Sequence, residues 1–395
     1  MRILLLVETL MAGGAETFVI RLANALVARN QVAVAVLHGD RVEPQFAEQL
    51  RPAVQLHRLR TPGERWWWRV DRVLRALRLD WSFLRSRQRR WLAQLVGEFR
   101  PDVVHSHLLK ADRLMLETIK GGQVGRVTTL HGDYEPYLQG QADPHMLDAR
   151  RWIVRMLEEA DSVVGICRAH QDSALRLSPN VGSRLRIIYN GYEPSNRSGD
   201  PADLTDELFR FGMVSRGVRL KGWRLAVDAF ARIRDGRSRL TLVGDGPAIA
   251  ELRADQPPDV EFVGFSADPL RHIAKFDVCL LPTLFPHESL PTAIVEYLAC
   301  GKPVIATDVG EISTMLSAPD GRSAGVLLAF DGEELSVDQL SGAMATLRSD
   351  PELRHAMGDA ALEAFARFRM EDCLGGYESV YHEVTERIRG RSAGR

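Results

Sequence analysis

Glu288 and Glu296, with seven residues between them, stand in the otherwise largely apolar stretch from Phe276 to Thr307. Carboxylates there accept strong hydrogen bonds from sugar hydroxyls. Arg216 and Lys221 lie five apart across a strand-to-helix turn. Two cations so placed can clamp one diphosphate and meet the charge that develops as a phosphate leaves. Two histidines, His107 and His131, each follow an apolar run, the position where a ring nitrogen opens on a ligand crevice. Gly14 and Glu16 sit in a glycine-bearing turn between a first strand and a first helix, where backbone approaches a phosphate or sugar closely. Each feature alone has a plainer reading: surface charge, a solvated carboxylate, a structural histidine or a tight turn. Together they describe a binder of phosphorylated sugars.

The elements that position these groups follow from apolar runs and their punctuation. Phe276–Leu281 reads as a buried strand ending in Pro282-Thr283, and Lys302–Thr307 as the next. Between them Pro291 suits a helix's first turn and Gly301 a helix end. Glu288 therefore falls in the loop at a strand's carboxyl end, and Glu296 inside the following helix. The unpaired N–H groups of that helix start, near Leu290 and Thr292, favour an anion. Further strands are predicted at Arg2–Val7, Val32–Leu37, Pro101–His107, Val127–Asp133, Asp161–Cys167 and Leu185–Gly191. A second set follows at Phe209–Val214, Leu240–Val243, Val260–Phe265 and Gly325–Leu328. Gly244-Asp245-Gly246-Pro247 fails as a dinucleotide fingerprint, because Ile249 occupies the sixth position. The alternation of strands and helices predicts α/β architecture in two Rossmann-like, doubly wound domains. The polar stretch from Ser195 to Asp206 is the expected linker. Domains are thus placed at 1–194, 195–372 and a terminal helix over 373–395, with the stretch from Glu334 to about Ile388 helical.

The 395 residues suffice for two cores, and 51 basic against 52 acidic side chains argue against a global pull toward nucleic acid. Cys167, Cys279, Cys300 and Cys373 show no metal-ligand spacing and fit a reducing cytoplasm. The opening apolar run is too short for a signal peptide, and no apolar run reaches membrane-spanning length. One segment departs from this ordinary composition. Residues 58–100 hold twelve arginines against four acids, a net +8, with Trp66, Trp67, Trp68, Trp81 and Trp91. Arg65, Arg69, Arg72 and Arg75 recur at helical spacing. A basic amphipathic helix with tryptophans points to an anionic membrane surface; a solvated helical face is the plainer alternative.

From Asp277 to Gly310 the chain resembles the donor-binding segment of retaining glycosyltransferases of the GT-B fold, family 4, also called glycosyl transferases group 1. The resemblance rests on the glutamate pair, on Ala299-Cys300-Gly301-Lys302-Pro303-Val304 and on Asp308-Val309-Gly310. Ser289 stands where the family often has glycine. The Gly244–Pro247 turn, the Arg216/Lys221 pair and the N-terminal glycine loop also resemble the family's. The resemblance implies two domains facing across a cleft, with the final helix crossing back to the first. It implies transfer of a sugar, with retention, from a nucleotide-diphosphate donor to a saccharide or lipid-linked acceptor in envelope or exopolysaccharide synthesis, without a metal or other cofactor. Glu288, His131, Arg216 and Lys221 would be catalytic; Gly14, Glu16, His107, Gly246, Ser289, Leu290, Pro291, Thr292 and Glu296 would contact substrate. No general base is nominated. The rivals are a sugar-nucleotide hydrolase, isomerase or phosphorylase on the same fold, and a non-catalytic nucleotide-sugar-binding subunit. The expected location is cytoplasmic, peripheral on the inner membrane face if the arginine segment meets lipid.

Overall fold

A computed structural model describes residues 1–11, 13–76, 82–132, 149–194, 208–253, 257–286 and 288–393. The predicted linker, Trp81 and His287 lie outside the described residues. The chain divides into two compact units, Met1–Gly191 with Met370–Arg395, and Tyr192–Arg369.

The first unit carries a seven-stranded sheet of β1 (Arg2–Val7), β2 (Gln31–Val36), β3 (Gln55–Arg58), β4 (Val103–His107), β5 (Gly125–Leu130), β6 (Ser162–Gly165) and β7 (Leu185–Ile187). Its order is β3-β2-β1-β4-β5-β6-β7, with every pair parallel. Alternate residues of β1 feed opposite faces. Ile3, Leu5 and Val7 join the helix Gly14–Leu26 and the C-terminal helix Met370–Ala393, whereas Leu4 and Leu6 join the helices Phe83–Phe99, Leu109–Thr118 and Ala149–Glu159. Both faces of a parallel sheet are thereby covered, which is why its strands read as continuous apolar runs. β3 was not predicted. Gln55-Leu56-His57-Arg58 is a half-exposed edge strand whose pairing to Ala33–Val36 supplies what its composition does not.

The second unit is a six-stranded parallel sheet of β8 (Phe209–Val214), β9 (Ser238–Val243), β10 (Val260–Gly264), β11 (Val278–Leu281), β12 (Val304–Thr307) and β13 (Gly325–Leu328). The order is β10-β9-β8-β11-β12-β13. In each unit the winding reverses once, between β1 and β4 and between β8 and β11, and ligands of such sheets bind outside the strand ends at that reversal. The predicted helical tail appears as helices Val337–Ser349, Pro351–Phe365 and Met370–Ala393. Among the described residues no helix is long and apolar enough to cross a membrane.

Candidate functional site

In the second unit the predicted residues gather where the winding reverses. β8 ends at Val214 and hands over to Ser215-Arg216; β11 ends at Leu281 and hands over to the loop bearing Glu288. Lys221 Nζ donates to Glu288 Oε1, and both side chains are largely buried. Thr283 Oγ1 donates to the same carboxylate oxygen at 2.9 Å. A buried carboxylate is tolerated when its charge and lone pairs are met in this way. Arg216 is exposed, and its guanidinium makes no ion pair among the described residues. Glu296 is buried at 7 % exposure within the helix Thr292–Ala299.

The expectation that Pro291 occupies the first helical turn is corrected by one residue. Pro291 is the N-cap, with an extended ψ of 115°, and the helix starts at Thr292. Among the described residues no side chain caps that end. Ile294 N–H bonds to the Pro291 carbonyl at 3.0 Å, which leaves the N–H groups of Thr292 and Ala293 at the helix start as donors suited to an anion.

Backbone packing fixes this geometry. Gly310 has φ +58°, and a Cβ there would fall 1.6 Å from the Glu288 carbonyl oxygen. Gly222 has φ +80°, and a Cβ would fall 1.9 Å from the Pro282 carbonyl oxygen. Neither position admits a side chain without moving the loops that carry Glu288 and Lys221. Gly246 plays a similar part for Arg216, since its Cβ would lie 2.4 Å from the carbonyl oxygen of the neighbouring Gly217. Tyr297 ties the two strand ends together: its hydroxyl accepts from Val214 N at 2.7 Å and lies 3.2 Å from the Leu280 carbonyl. Sequence reasoning missed Thr283, Gly222 and Tyr297. Only Thr283 left a trace, as a polar residue directly after an apolar strand.

The first unit brings its predicted residues together differently. His107 ends β4 and His131 follows β5; His107 Nδ1 and His131 Nε2 are hydrogen-bonded at 2.9 Å. His105, two residues before His107 and on the same face of β4, is bonded to Tyr381 at 2.7 Å and to Thr129 at 2.8 Å. Thr129 in turn meets the Tyr377 hydroxyl at 2.9 Å. Phe18 packs its ring against His107, His131 and Tyr377. Burial pushes His131 down to about 3, with His170 nearby acting in the same sense. Burial likewise drives His105 and His107 well below the usual histidine range. All three rings are therefore neutral near pH 7, each with one donor and one acceptor nitrogen. His107 Nε2 is buried without a partner among the described residues. The backbone departs from ordinary conformations immediately after it, where Leu108 has φ 74° and ψ 147°. Non-glycine residues are held in such a region chiefly at functional positions.

Glu16 turns inward to accept from Thr9 Oγ1 at 2.9 Å. The crowding in this loop falls on Gly13, whose Cβ would meet Glu16 Oε2 at 2.2 Å, while Gly14 is exposed with open space beside it. The arginine segment resolves into the helices Glu64–Ala76 and Phe83–Phe99. Asp71 joins them, accepting from Ser82 Oγ at 2.5 Å and from Phe83 N at 2.9 Å. Trp67 stacks on Phe83, but Trp66, Trp68 and Val73 remain 57 %, 47 % and 58 % exposed.

Residues 12–196 match the family model described as Glycosyltransferase Family 4, and residues 208–350 that described as Glycosyl transferases group 1. The two matches take in most of the chain, which belongs to this group of glycosyltransferases. It is similar to N-acetyl-alpha-D-glucosaminyl L-malate synthase of Bacillus anthracis, with 26 % identity over 74 % of this chain and 77 % of that protein. It is also similar to the lipopolysaccharide core biosynthesis glycosyltransferase LpsD of Rhizobium meliloti, with 24 % identity over 93 % and 95 % of the two chains. Among solved structures, Anabaena HepE in complex with UDP superimposes with a TM-score of 0.75 at 20 % identity, covering 97 % of this chain and all of that one. That likeness establishes the GT-B fold for this chain.

Proposed function

We propose that the protein is a retaining glycosyltransferase that moves a sugar from a nucleotide-diphosphate donor to a saccharide or lipid-linked acceptor in envelope or exopolysaccharide synthesis. The observation that carries this reading is the buried Lys221–Glu288 pair beside the capless helix Thr292–Ala299, where the second sheet's winding reverses. Arg216, Lys221 and that helix start hold the diphosphate and absorb the charge of the departing phosphate oxygen. Glu288 then trades part of its contact with Lys221 for sugar hydroxyls, and Glu296 takes the ribose hydroxyls. The bond between the sugar's C1 and the phosphate oxygen breaks, the acceptor oxygen bonds C1 on the same face, and the acceptor's hydroxyl proton passes to the departing phosphate oxygen. For the first unit, His131 and Gly14 contribute to substrate contact. The cations supply the charge a metal would otherwise provide, so EDTA should leave turnover intact.

Support for the donor class comes from HepE, solved with UDP-glucose as well as UDP. Support for the envelope role comes from LpsD and from the Bacillus subtilis relative termed a putative teichuronic acid biosynthesis glycosyltransferase. The exposed Trp66, Trp68 and Val73 on an arginine-rich helix support contact with an anionic membrane surface. The test is a panel of nucleoside diphosphates and nucleotide sugars in thermal shift, on wild type and Lys221→Ala. A selective stabilisation lost in the variant supports the donor site. Acceptor-dependent product retaining the donor's anomeric configuration then establishes transfer, whereas donor breakdown without acceptor would favour a hydrolase.

A further inference from the structure

Away from the strand ends, the first unit contains a second concentration of charge that the transfer reaction does not use. A cavity of about 610 Å³ opens between the helices Phe83–Phe99, Leu109–Thr118 and Ala149–Glu159 and the start of β5. Seven cationic side chains line it against two carboxylates. Both carboxylates are already committed. Glu117 pairs with Arg113 at 2.9 Å and with Arg85 at 3.8 Å, and Glu159 pairs with Arg155 at 2.5 Å. Arg126 is held by Asp161 at 3.1 Å. Arg89, Lys120 and Arg151 are exposed on the lining and make no ion pair among the described residues. Trp152 orders part of the wall, with the Arg113 and Arg155 guanidinium carbons 4.1 and 4.8 Å from its ring centre.

We propose that this cavity binds a phosphate-bearing polyanion. Like charges gathered on one concave wall repel one another, and an anion carrying two or more charges relieves that repulsion at several sites at once. Arginine forks match phosphate oxygens bidentately, and four of the seven cations, Arg85, Arg113, Arg126 and Arg155, are already pinned by ion pairs or by Trp152. A lone carboxylate would leave most of this charge unmet. The site is separate from His107 and His131: Arg126 is the second residue of β5, whereas His131 follows its last. The same chemistry is offered by an anionic lipid headgroup and by a soluble phosphorylated ligand, and the inference does not depend on the donor-site reading.

The test uses the full chain carrying Arg216→Ala and Lys221→Ala, so that phosphate binding at the second unit's strand ends does not contribute. Inorganic pyrophosphate is titrated at low salt by calorimetry. In parallel, co-sedimentation is measured with phosphatidylcholine vesicles with and without phosphatidic acid. Adding Arg89→Ala and Arg151→Ala, both exposed and without an ion pair among the described residues, should weaken binding about tenfold or more in at least one arm, with the melting temperature unchanged. An effect on pyrophosphate assigns a soluble phosphorylated ligand, and an effect confined to phosphatidic acid vesicles assigns a lipid headgroup. If the two added substitutions change neither arm while the protein remains folded, the proposal is overturned.

Discussion

The two units meet the cost of burying polar groups at their strand ends in opposite ways. The second unit sets charge against charge, with Lys221 on Glu288 and Thr283 sharing the carboxylate. The first buries rings that have given up their charge: His105, His107 and His131 are neutral and linked to hydroxyls or to each other. A charged pair can be prised open by a charged ligand, because a diphosphate offers Lys221 a replacement for Glu288. A neutral chain answers to hydrogen-bond direction and shape. The second unit is thus built to exchange ionic partners, and the first to hold a fixed donor and acceptor pattern.

The sharpest way to break this contrast is to remove one charge. On the proposed donor-site reading, Lys221→Ala should lower kcat/KM by about 10²–10³ through loss of the charge that would meet the departing phosphate, while His107→Asn should cost far less. Steady-state kinetics on both variants decide it. Equal losses would mean that the reaction draws on the neutral cluster as heavily as on the ion pair.

The pH dependence separates the units next. Histidines whose folded pKa lies below the unfolded value are charged by acid only after unfolding. Their contribution to stability is complete above about 6.5 and is lost progressively as pH falls from there toward about 3. Asp112 runs the other way. Burial raises it to about 7, outweighing hydrogen bonds from Ser106 and Thr128. Its contribution is greatest below about 3.8 and fades as pH rises through 7. Three histidines against one aspartate leave stability rising with pH between about 4 and 6.5, by up to about 1.4 kcal/mol per pH unit for each proton not offset. Urea unfolding of the first unit's signal across that range should show this slope. A flat profile would mean that the rings are not buried neutral.

Much of this was readable from the chain, for reasons that differ between the units. The parallel strands are continuous apolar runs because both faces are covered, so nearly all of them could be predicted. Glu288, Glu296, Arg216 and Lys221 lie on short local motifs, and the second sheet's order brings the strand ends that carry them together. The pairing of Lys221 with Glu288 was not foreseen, since it depends on how two loops 67 residues apart are packed, with Gly222 close against the Pro282 carbonyl and Gly310, from a third loop, against the Glu288 carbonyl. The histidine chain was less visible still. His107 and His131 showed as strand-end residues, but the partners that fix their neighbour His105 include Tyr381, 276 residues away. No local pattern carries that information. The edge strand β3 escaped for a related reason, as its existence rests on its partner rather than on its own composition.

Gly310 tests whether backbone contact, rather than the ion pair alone, positions Glu288. Gly310→Ala must both hold a positive φ and displace the Glu288 carbonyl, and should cost about 2–3 kcal/mol or more. Gly236→Ala provides the control. Its φ of +74° is similarly unfavourable, but nothing lies within 4 Å of the added Cβ, so about 1 kcal/mol is expected. Chemical denaturation of both variants measures the difference. Equal costs would show that the loop gives way freely and that Glu288 is held by Lys221 and Thr283.

The smallest effects come from the direction of the neutral chain. Tyr381, His105, Thr129 and Tyr377 form a line in which each proton must point one way or the other. Without the Tyr377 hydroxyl the line can run toward Tyr381: Thr129 donates to His105 Nε2, and His105 Nδ1 donates to Tyr381. Without the Tyr381 hydroxyl, His105 Nδ1 is buried with no partner in either direction. Tyr377→Phe should therefore cost about 0.5–1 kcal/mol, and Tyr381→Phe about 1–2 kcal/mol. The double variant should cost more than the sum: without the Tyr381 hydroxyl the least costly state runs toward Tyr377 and leaves only an acceptor unpaired at His105 Nδ1, and removing the Tyr377 hydroxyl forbids that state. A double-mutant cycle by urea denaturation reads this coupling directly. Additive costs would mean that the two tyrosines act by packing alone, and that the fixed donor pattern distinguishing the first unit from the second does not extend to the C-terminal helix.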